Sequence, residues 1–395
     1  MRYAAVRVSV PNQRLDHIFH YIIPEELENS VTEGMRVYVP FGKGNRRIEG
    51  YVTKITDTVE FDASKLKCIS DIAEEYSVVS AKKLELAAWM QKKYYCTLNA
   101  CMMCIVPKFS NEKKFACVSL NEELENREEI IKKIRSEKQH RVLDMLQAGA
   151  IYPVSHVKTL LDVDNAPINA LVKKGILKMT YMQEYRGNCL NHKSDTVLPE
   201  LTAEQSAALD FINERLQQKS IKPILLHGVT GSGKTEVYLR IIQSVIDEGK
   251  EAIVLVPEIS LTPQTVERFV RRFGDRVAVT HSRMSDGERY DQWTRARRGE
   301  VSIMIGPRSA IFTPFENLGV VIIDEEHESS YRADGQAPKY DAREVAVKLG
   351  QLYGSLTVMG SATPSVNSYH LAQIGQYDIV TLKNRVNNTF PEVNV

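Results

Sequence analysis

Long apolar runs are missing from this 395-residue chain. Segments such as "GVVII" and "AIVLV" are far too short to cross a bilayer. The first residues, "MRYAAVRVSVPNQ", alternate like a strand and carry no secretory apolar core. Cysteine is sparse: six residues make no disulfide framework in a chain of this size, so the expectation is a reducing cytoplasm and no membrane partner. Excess charge is missing too. With 51 Lys and Arg against 50 Asp and Glu the net charge is +1, so a nucleic acid would have to be gripped by local basic patches. No repeat at a solenoid period is visible. The one Cys-x-x-Cys, "CMMC" at 101–104, sits in an apolar stretch without glycine turns. It reads as small buried side chains near a helix end, with a zinc site the lesser alternative.

What is present falls into three stretches. Over residues 1–60, "YAAVRVSV", "FHYIIP", "MRVYVPF" and "IEGYVTKI" alternate between Gly, Pro and Asn turns, which predicts a small all-β, barrel-like unit. A helix with an apolar stripe of Leu84, Leu86, Ala87, Trp89, Met90 and Tyr94 is predicted over 78–106. Charge-dense residues 121–139 read as a solvated helix or linker. Three short helices and a strand follow, with Asn165 as a candidate cap of the third. That is the outline of a winged helix, or of a plain helical spacer. From residue 200 onward uniformly apolar strands alternate with helices, which predicts a parallel sheet covered on both faces. The expected domains are 1–108, 109–197 with its linker, 198–385, and a lead-in to a further lobe at 386–395.

"GVTGSGKT" at 228–235 fits the phosphate-loop pattern and lies between a predicted strand and a predicted helix. Gly228, Gly231 and Gly233 let the backbone curl so that its N–H groups face a phosphate chain. Lys234 is suited to the β- and γ-phosphates, and the Thr235 hydroxyl to Mg2+. Downstream, "VVIIDEEH" runs from a buried strand into three acids and a histidine. Acids so close repel unless a cation or reacting group is brought to them. Asp324 is therefore read as a holder of Mg2+ and Glu325 as the base for an attacking water, both at a carboxyl strand end where such sheets place ligands. "GSATPS" at 360–365 ends another strand. Its Ser361 and Thr363 are expected to hydrogen-bond the tetrad, with His327 as a relay.

These motifs, with "LTAEQ", "LVPEISLTPQ", "SIMIGPRSAIFTPF", "IDEEHESSY" and "PKYDAR", resemble the first lobe of a superfamily-2 helicase. More closely, together with "FHYIIPEEL" and "GMRVYVPFGKGNRRIEGYV", they resemble the PriA family of primosomal replication-restart helicases over essentially the whole chain. The resemblance implies a multidomain fold: a 3′-end-binding β-rich domain, a winged-helix domain and an α/β RecA-like P-loop lobe. It implies ATP and Mg2+ as cofactors, with Thr230, Ser232, Glu236 and Gln205 joining the nucleotide-binding set. It implies 3′-to-5′ unwinding of DNA at stalled forks for replication restart. The implied partners are forked DNA with a nascent 3′ end, single-stranded DNA, single-stranded DNA-binding protein and primosome helicase loaders.

Further roles follow from the same resemblance. The loop "SSYRADGQAPKYDAR" would couple DNA contact to hydrolysis through Tyr331, Lys339, Tyr340 and Arg343, its rings forming a stacking platform. Arg308 and Ser309 of "GPRSA" would touch the DNA backbone, beside Pro307 where the family often has Thr. Phe19, His20 and Tyr21 stand where the family has Phe-Asp-Tyr for the 3′ end. The two rings would stack on the terminal base, and the missing carboxylate would be replaced by a His20 hydrogen bond or by Asp16, unless His20 is simply a structural strand residue. No second α/β repeat and no many-cysteine zinc module is read before Val395, so the chain is expected to be an N-terminal portion that hydrolyses ATP poorly, with zinc only beyond it. A duplex translocase and a non-catalytic fork-end binder are the alternatives.

Overall fold

The computed structural model describes residues 2–10, 16–59, 65–74, 76–108, 114–124, 127–183, 199–335 and 337–386. Short alternating segments build the N-terminal sheet: β1 (Arg2–Val8), β2 (Phe19–Ile23), β3 (Arg36–Phe41), β4 (Arg46–Thr56) and β5 (Asp71–Ile72), in the order β2-β1-β4-β3-β5. All its named neighbours are antiparallel. The two edges are drawn together where the Ile22 N–H donates to Lys67 O (2.9 Å) and the Ile69 N–H donates to Ile22 O (3.0 Å), which gives the sheet its barrel-like closure. Inward residues Ala4, Val6, Tyr21, Ile23, Val37, Val39 and Val52 fill the interior, as period-two alternation requires.

Two helices follow where one was expected: α1 (Ala81–Lys93) and α2 (Leu98–Ile105). Tyr95 takes a left-handed φ of 50° and Thr97 restarts the chain by accepting the Ala100 N–H, so the helix breaks between them. The Cys-x-x-Cys lies on α2, with Cys101 buried and Cys104 half-buried.

Ser110–Asn188 forms a separate compact unit. It comprises β6 (Lys114–Leu120), α3 (Arg127–Lys132), α4 (Glu137–Met145), β7 (Ile151–Pro153), α5 (Val154–Leu161), α6 (Asn165–Lys173) and β8 (Leu177–Gln183), with an antiparallel sheet ordered β7-β6-β8. Asp164, one residue before the expected Asn165, occupies the cap of α6. Val118, Val142, Val157, Ile168, Leu171 and Ile176 share its core.

Met1–Phe109 and Cys189–Val395 make the other unit. Its C-terminal part contains α7 (Ala203–Gln217), β9 (Ile224–Gly228), α8 (Lys234–Asp247), β10 (Glu251–Leu255), α9 (Pro263–Phe273), β11 (Val277–Val279), α10 (Asp286–Arg297), β12 (Ile303–Gly306), β13 (Leu318–Ile323), α11 (Ala342–Tyr353), β14 (Leu356–Ser361), α12 (Val366–Gln373) and β15 (Asp378–Leu382). Seven parallel strands run in the order β11-β12-β10-β13-β14-β9-β15. β13 is buried at every position, with Val320 and Ile322 packing towards α8 and α9 and Val321 and Ile323 towards α11. That is why its sequence shows no polar alternation.

The α11 face carries α1 and α2 as well, so one apolar core runs from Tyr51 and Val79 through Leu86, Met90 and Met102 to Val345 and Leu349. Truncating Leu349 to Ala would remove about 2–5 kcal/mol of stability. The Tyr94 hydroxyl adds a polar tie by donating to Glu344 Oε2 at 2.8 Å. Among the described residues no helix is long and apolar enough to cross a membrane.

Candidate nucleotide and nucleic-acid site

Parallel pairing sets the carboxyl ends of β9, β14, β13 and β10 side by side, with Ser361 opposite His227, Met359 opposite Ile323 and Ile323 opposite Leu255. The glycine-bearing loop leaves β9 at Gly228 and re-enters helix at Lys234. Gly233 is the left-handed cap of α8 at φ 80°, and a Cβ there would strike Gln205 Nε2. Only glycine satisfies both the dihedral and that approach.

Gln205 is itself fixed by a capping box at the start of α7. Its Nε2 donates to Ser232 O and its Oε1 accepts the Thr202 N–H, both at 2.9 Å. Gln205 therefore braces the loop from behind; it was expected as a nucleotide contact, and its buried amide is taken up by backbone instead.

Thr230, Gly231, Ser232, Gly233, Lys234, Thr235 and Glu236 line a cavity of about 590 Å3 whose other wall includes Asp324 and Glu325. Lys234 donates from Nζ to Gly228 O at 2.8 Å. Among the described residues the buried Ser232 Oγ has no hydrogen-bond partner. An orphaned hydroxyl, a cationic amine on a replaceable carbonyl, and a hydroxyl and carboxylate sharing the cavity suit a triphosphate with Mg2+ on Thr235 and Asp324. Glu236 reaches the cavity wall, but its carboxylate pairs with Arg240 (2.9 Å) and Arg272 (3.7 Å), which corrects its reading as a nucleotide ligand. The pairing follows from the i,i+4 spacing on α8 and the nearby Arg272, and a carboxylate repels phosphate in any case.

The three acids after β13 part company. Asp324 stays at the cavity, its Oδ1 accepting from the Tyr238 hydroxyl at 3.0 Å. Burial, and then the adjacent Glu325 charge, hold the Asp324 carboxyl above its ordinary range. Glu325 follows at φ 45°, a left-handed turn that redirects the chain. Glu326 faces away from the cavity and is wholly buried. Its carboxylate accepts from the Ser365 N–H (2.6 Å), Ser365 Oγ (3.1 Å) and Ser368 Oγ (2.8 Å), with Arg343 Nη1 4.0 Å from Oε2, so it pins the turn into α12.

His327 Nδ1 shares a 2.7 Å hydrogen bond with Ser361 Oγ and lies 3.6 Å from Glu325 Oε2. Thr363 joins this chain through its backbone N–H, which donates to Ser361 Oγ at 3.0 Å, while its side chain is exposed. The expected Thr363 contact to the tetrad is thereby indirect, running through Ser361 Oγ to His327.

The loop after the tetrad departs most from expectation. Tyr331 is buried, its hydroxyl shared between Asp324 O (2.5 Å) and Leu255 O (3.1 Å). Tyr340 is buried edge-on against Phe312 with centroids 5.0 Å apart. Tyr331 covers the ends of β10 and β13 and Tyr340 packs on Phe312, so neither ring lies open on the surface, although both line one cavity with Arg308. Arg343 grips Asp341 with Nε (2.9 Å) and Nη2 (2.7 Å) and donates from Nη1 to Glu326 O at 2.7 Å. Burial alone would raise the Asp341 carboxyl, but the Arg343 hydrogen bonds outweigh it and hold it below its usual range. Lys339 and Ser309 are exposed. Arg308 Nη1 donates to Ser330 O and Arg332 O, both at 2.9 Å, and so holds the loop. Arg308, Ser309, His281, Arg289 and Glu258 line a further cavity of about 580 Å3.

In the β unit, Tyr21 is buried with its hydroxyl 3.4 Å from Pro40 O, and Phe19 packs on His17 (4.2 Å) and edge-on against Phe41 (5.1 Å). Odd positions of β2 face the interior, so the expected pair of open rings is not formed. His20 lies on the opposite face, opposite Ala5. Asp16 is equally occupied: it accepts from Gln91 Nε2 and the Leu98 N–H (2.9 Å each) and from Arg7 Nη1 (3.2 Å), so it ties the β unit to α1 and α2.

Two residues escaped the sequence reading. Tyr238 falls four positions after Lys234 on an apolar helix face, and Gly360 leaves the space its hydroxyl occupies. Glu326 was hidden among like neighbours; the serines of "TPSVNS" were the available signal.

A family model described as the PriA 3'DNA-binding domain (3'BD) matches residues 5–107, and a DEAD/DEAH box helicase model matches residues 202–371. The replication restart protein PriA of Bacillus subtilis (strain 168) is 37% identical over 466 residues, covering 100% of this chain and 57% of that protein. The Chlamydia muridarum (strain MoPn / Nigg) protein of the same name is 35% identical over 401 residues, covering 98% of this chain and 52% of its own length. Among solved structures, RecG bound to a three-way DNA junction matches at 28% identity over 48% of this chain and 24% of that one, with a TM-score of 0.36. The chain spans about half the length of the curated relatives it matches. Joining a PriA-type 3′ DNA-binding domain to a helicase lobe, and aligned with PriA proteins along its full extent, the chain belongs to the PriA family of replication restart proteins.

Proposed function

We propose that this chain is the fork-recognition and first motor portion of an ATP-driven, 3′-to-5′ DNA helicase that begins primosome assembly at stalled forks. One juxtaposition carries the reading: Lys234 and Thr235 share a single cavity with Asp324 and Glu325. Lys234 would exchange the Gly228 carbonyl for β- and γ-phosphate oxygens, with the loop N–H groups cradling the chain. Thr235 and Asp324 are the residues that would hold Mg2+. Held there, Mg2+ would offset the charge of the phosphates. Glu325 orients and deprotonates the attacking water. His327 and Ser361 tie that carboxylate to the end of β14, a route by which nucleotide state reaches the Thr363 turn.

The DNA partners in this reading are forks with a nascent 3′ end at the β unit and single strand along the lobe, where Lys339 and Ser309 remain exposed. The Ser110–Asn188 unit acts as a winged helix on duplex DNA. Single-stranded DNA-binding protein and helicase loaders are the protein partners, and zinc belongs to a region outside these residues.

The test is binding to forks whose nascent strand ends in a free or blocked 3′-hydroxyl, at several salt concentrations, with ATP turnover measured in parallel. Preference for the free end and DNA-stimulated turnover are expected; equal affinity for both ends would sink end recognition. The burial of Tyr331 and Tyr340 favours a second reading, a duplex translocase that never parts strands, since it takes two rings off a single-strand track. Strand displacement from a fork by the protein carrying this chain separates the two.

A further inference from the structure

Three arginines of α9 line the nucleotide cavity: Arg268, Arg271 and Arg272. Two are committed. Arg271 Nη2 pairs with Glu267 Oε1 at 2.6 Å, and Arg272 is buried 3.7 Å from Glu236. Arg268 is exposed and, among the described residues, makes no hydrogen bond or ion pair. It also lines a second, narrower crevice of about 80 Å3 together with Thr235, Tyr238 and Asp324. Its place is thus at the end of the cavity where the metal-holding hydroxyl and carboxylate lie.

The helix presenting it is fixed. Phe269, Val270 and Phe273 are buried, Thr262 caps the N-terminus by accepting the Thr265 N–H, and Pro263 opens the first turn. A guanidinium on a rigid helix, beside two carboxylates yet bonded to neither, is placed for an anion that lies between them. Its planar fork of donors matches phosphate oxygens.

We propose that Arg268 is a phosphate ligand for the terminal phosphate of the triphosphate, so that the first lobe itself discriminates ATP from ADP. The inference rests on the triphosphate reading of this cavity. Lys234 reaches along the loop from one side; Arg268 closes on the same phosphates from α9. A product lacking the terminal phosphate leaves Arg268 unpaired, as it stands here.

The experiment measures affinity for ADP and for the non-hydrolysable ATP analogue AMP-PNP, with Mg2+, in the 395-residue chain. Arg268→Ala is expected to weaken AMP-PNP binding about 10-fold or more while ADP changes by less than about 3-fold, the range of a charge-assisted hydrogen bond. Arg268→Lys recovers part of the loss, since it keeps the charge without the fork. Thermal unfolding checks that α9 survives, as an exposed position should. Lys234→Ala weakens both nucleotides and reports on the cavity independently. Equal loss of both nucleotides in Arg268→Ala, or loss of neither, overturns the proposal while leaving the cavity assignment intact. If the unaltered chain binds neither nucleotide, both fall.

Discussion

The phosphate loop and the loop after the acidic tetrad flank the same strand ends, yet they use their chemistry in opposite ways. At the phosphate loop, polar groups are left facing a cavity: among the described residues Ser232 Oγ has no partner and Lys234 holds a backbone carbonyl. In the tetrad loop nearly everything polar or aromatic is consumed internally, Tyr331 on two carbonyls, Arg343 on Asp341 and Glu326, Arg308 on Ser330 and Arg332. One is built to receive a ligand; the other is built to be rigid and to connect the nucleotide cavity to the surface lined by Arg308 and Ser309.

Tyr331→Ala offers the largest effect on which that contrast can break. Removing a buried aromatic and its hydrogen bonds to Asp324 O and Leu255 O, the second of which keeps the Asp324 N–H, should lower stability by about 3–5 kcal/mol in denaturant unfolding. Unchanged stability with loss of single-strand affinity would mean the ring is a stacking surface after all. Glu326→Ala comes next, at about 3 kcal/mol, since it strips Ser365 and Ser368 of a buried charged acceptor. Its neighbour change Glu325→Gln should leave unfolding almost untouched and remove ATP hydrolysis instead.

Lys234→Ala sharpens the other side. Nucleotide affinity should drop about 100-fold, or about 2.7 kcal/mol, with fork affinity within about 3-fold of the unaltered chain in fluorescence anisotropy. Matched loss of both would place the DNA surface in the nucleotide cavity.

A pH series gives a smaller effect. Because Asp324 is raised by burial, the nucleotide-free folded state holds its proton more tightly than the unfolded state. Its contribution to stability is therefore full at low pH and declines as pH rises through the folded-state value. Asp324→Asn should flatten that part of the melting-temperature profile; an unchanged slope would show the carboxylate is solvated. The smallest effect belongs to Lys339→Ala, which should leave stability within about 0.5 kcal/mol. It should also lower the salt dependence of single-strand binding by about one counterion.

Much of the cavity was legible because its determinants are local. The loop glycines, Lys234 and Thr235 are consecutive, and a strand–turn–helix fixes their geometry whatever surrounds them. The reading failed where burial decided. Tyr331, Tyr340 and Tyr21 have the residue type of a stacking surface and the environment of a core, and an aromatic serves either purpose. Glu326 failed for a related reason: adjacency suggested a shared role, and the left-handed turn at Glu325 gave the acids different faces. Asp16 and Gln205 were each assigned to a ligand because nothing in the sequence announces Leu98 or Ser232 as their partners.

By itself the sequence determined the parallel sheet, the phosphate loop and the acids at a strand end, because apolar runs, glycine dihedrals and helix caps act over a few residues. Only the tertiary structure decided which acids face the cavity, which rings lie inside, that Tyr238 bonds Asp324, and that Arg268 lines the same cavity. Those outcomes depend on strand order and helix packing, which bring together side chains far apart in the chain and settle for each whether water, a ligand or another residue takes its hydrogen bonds.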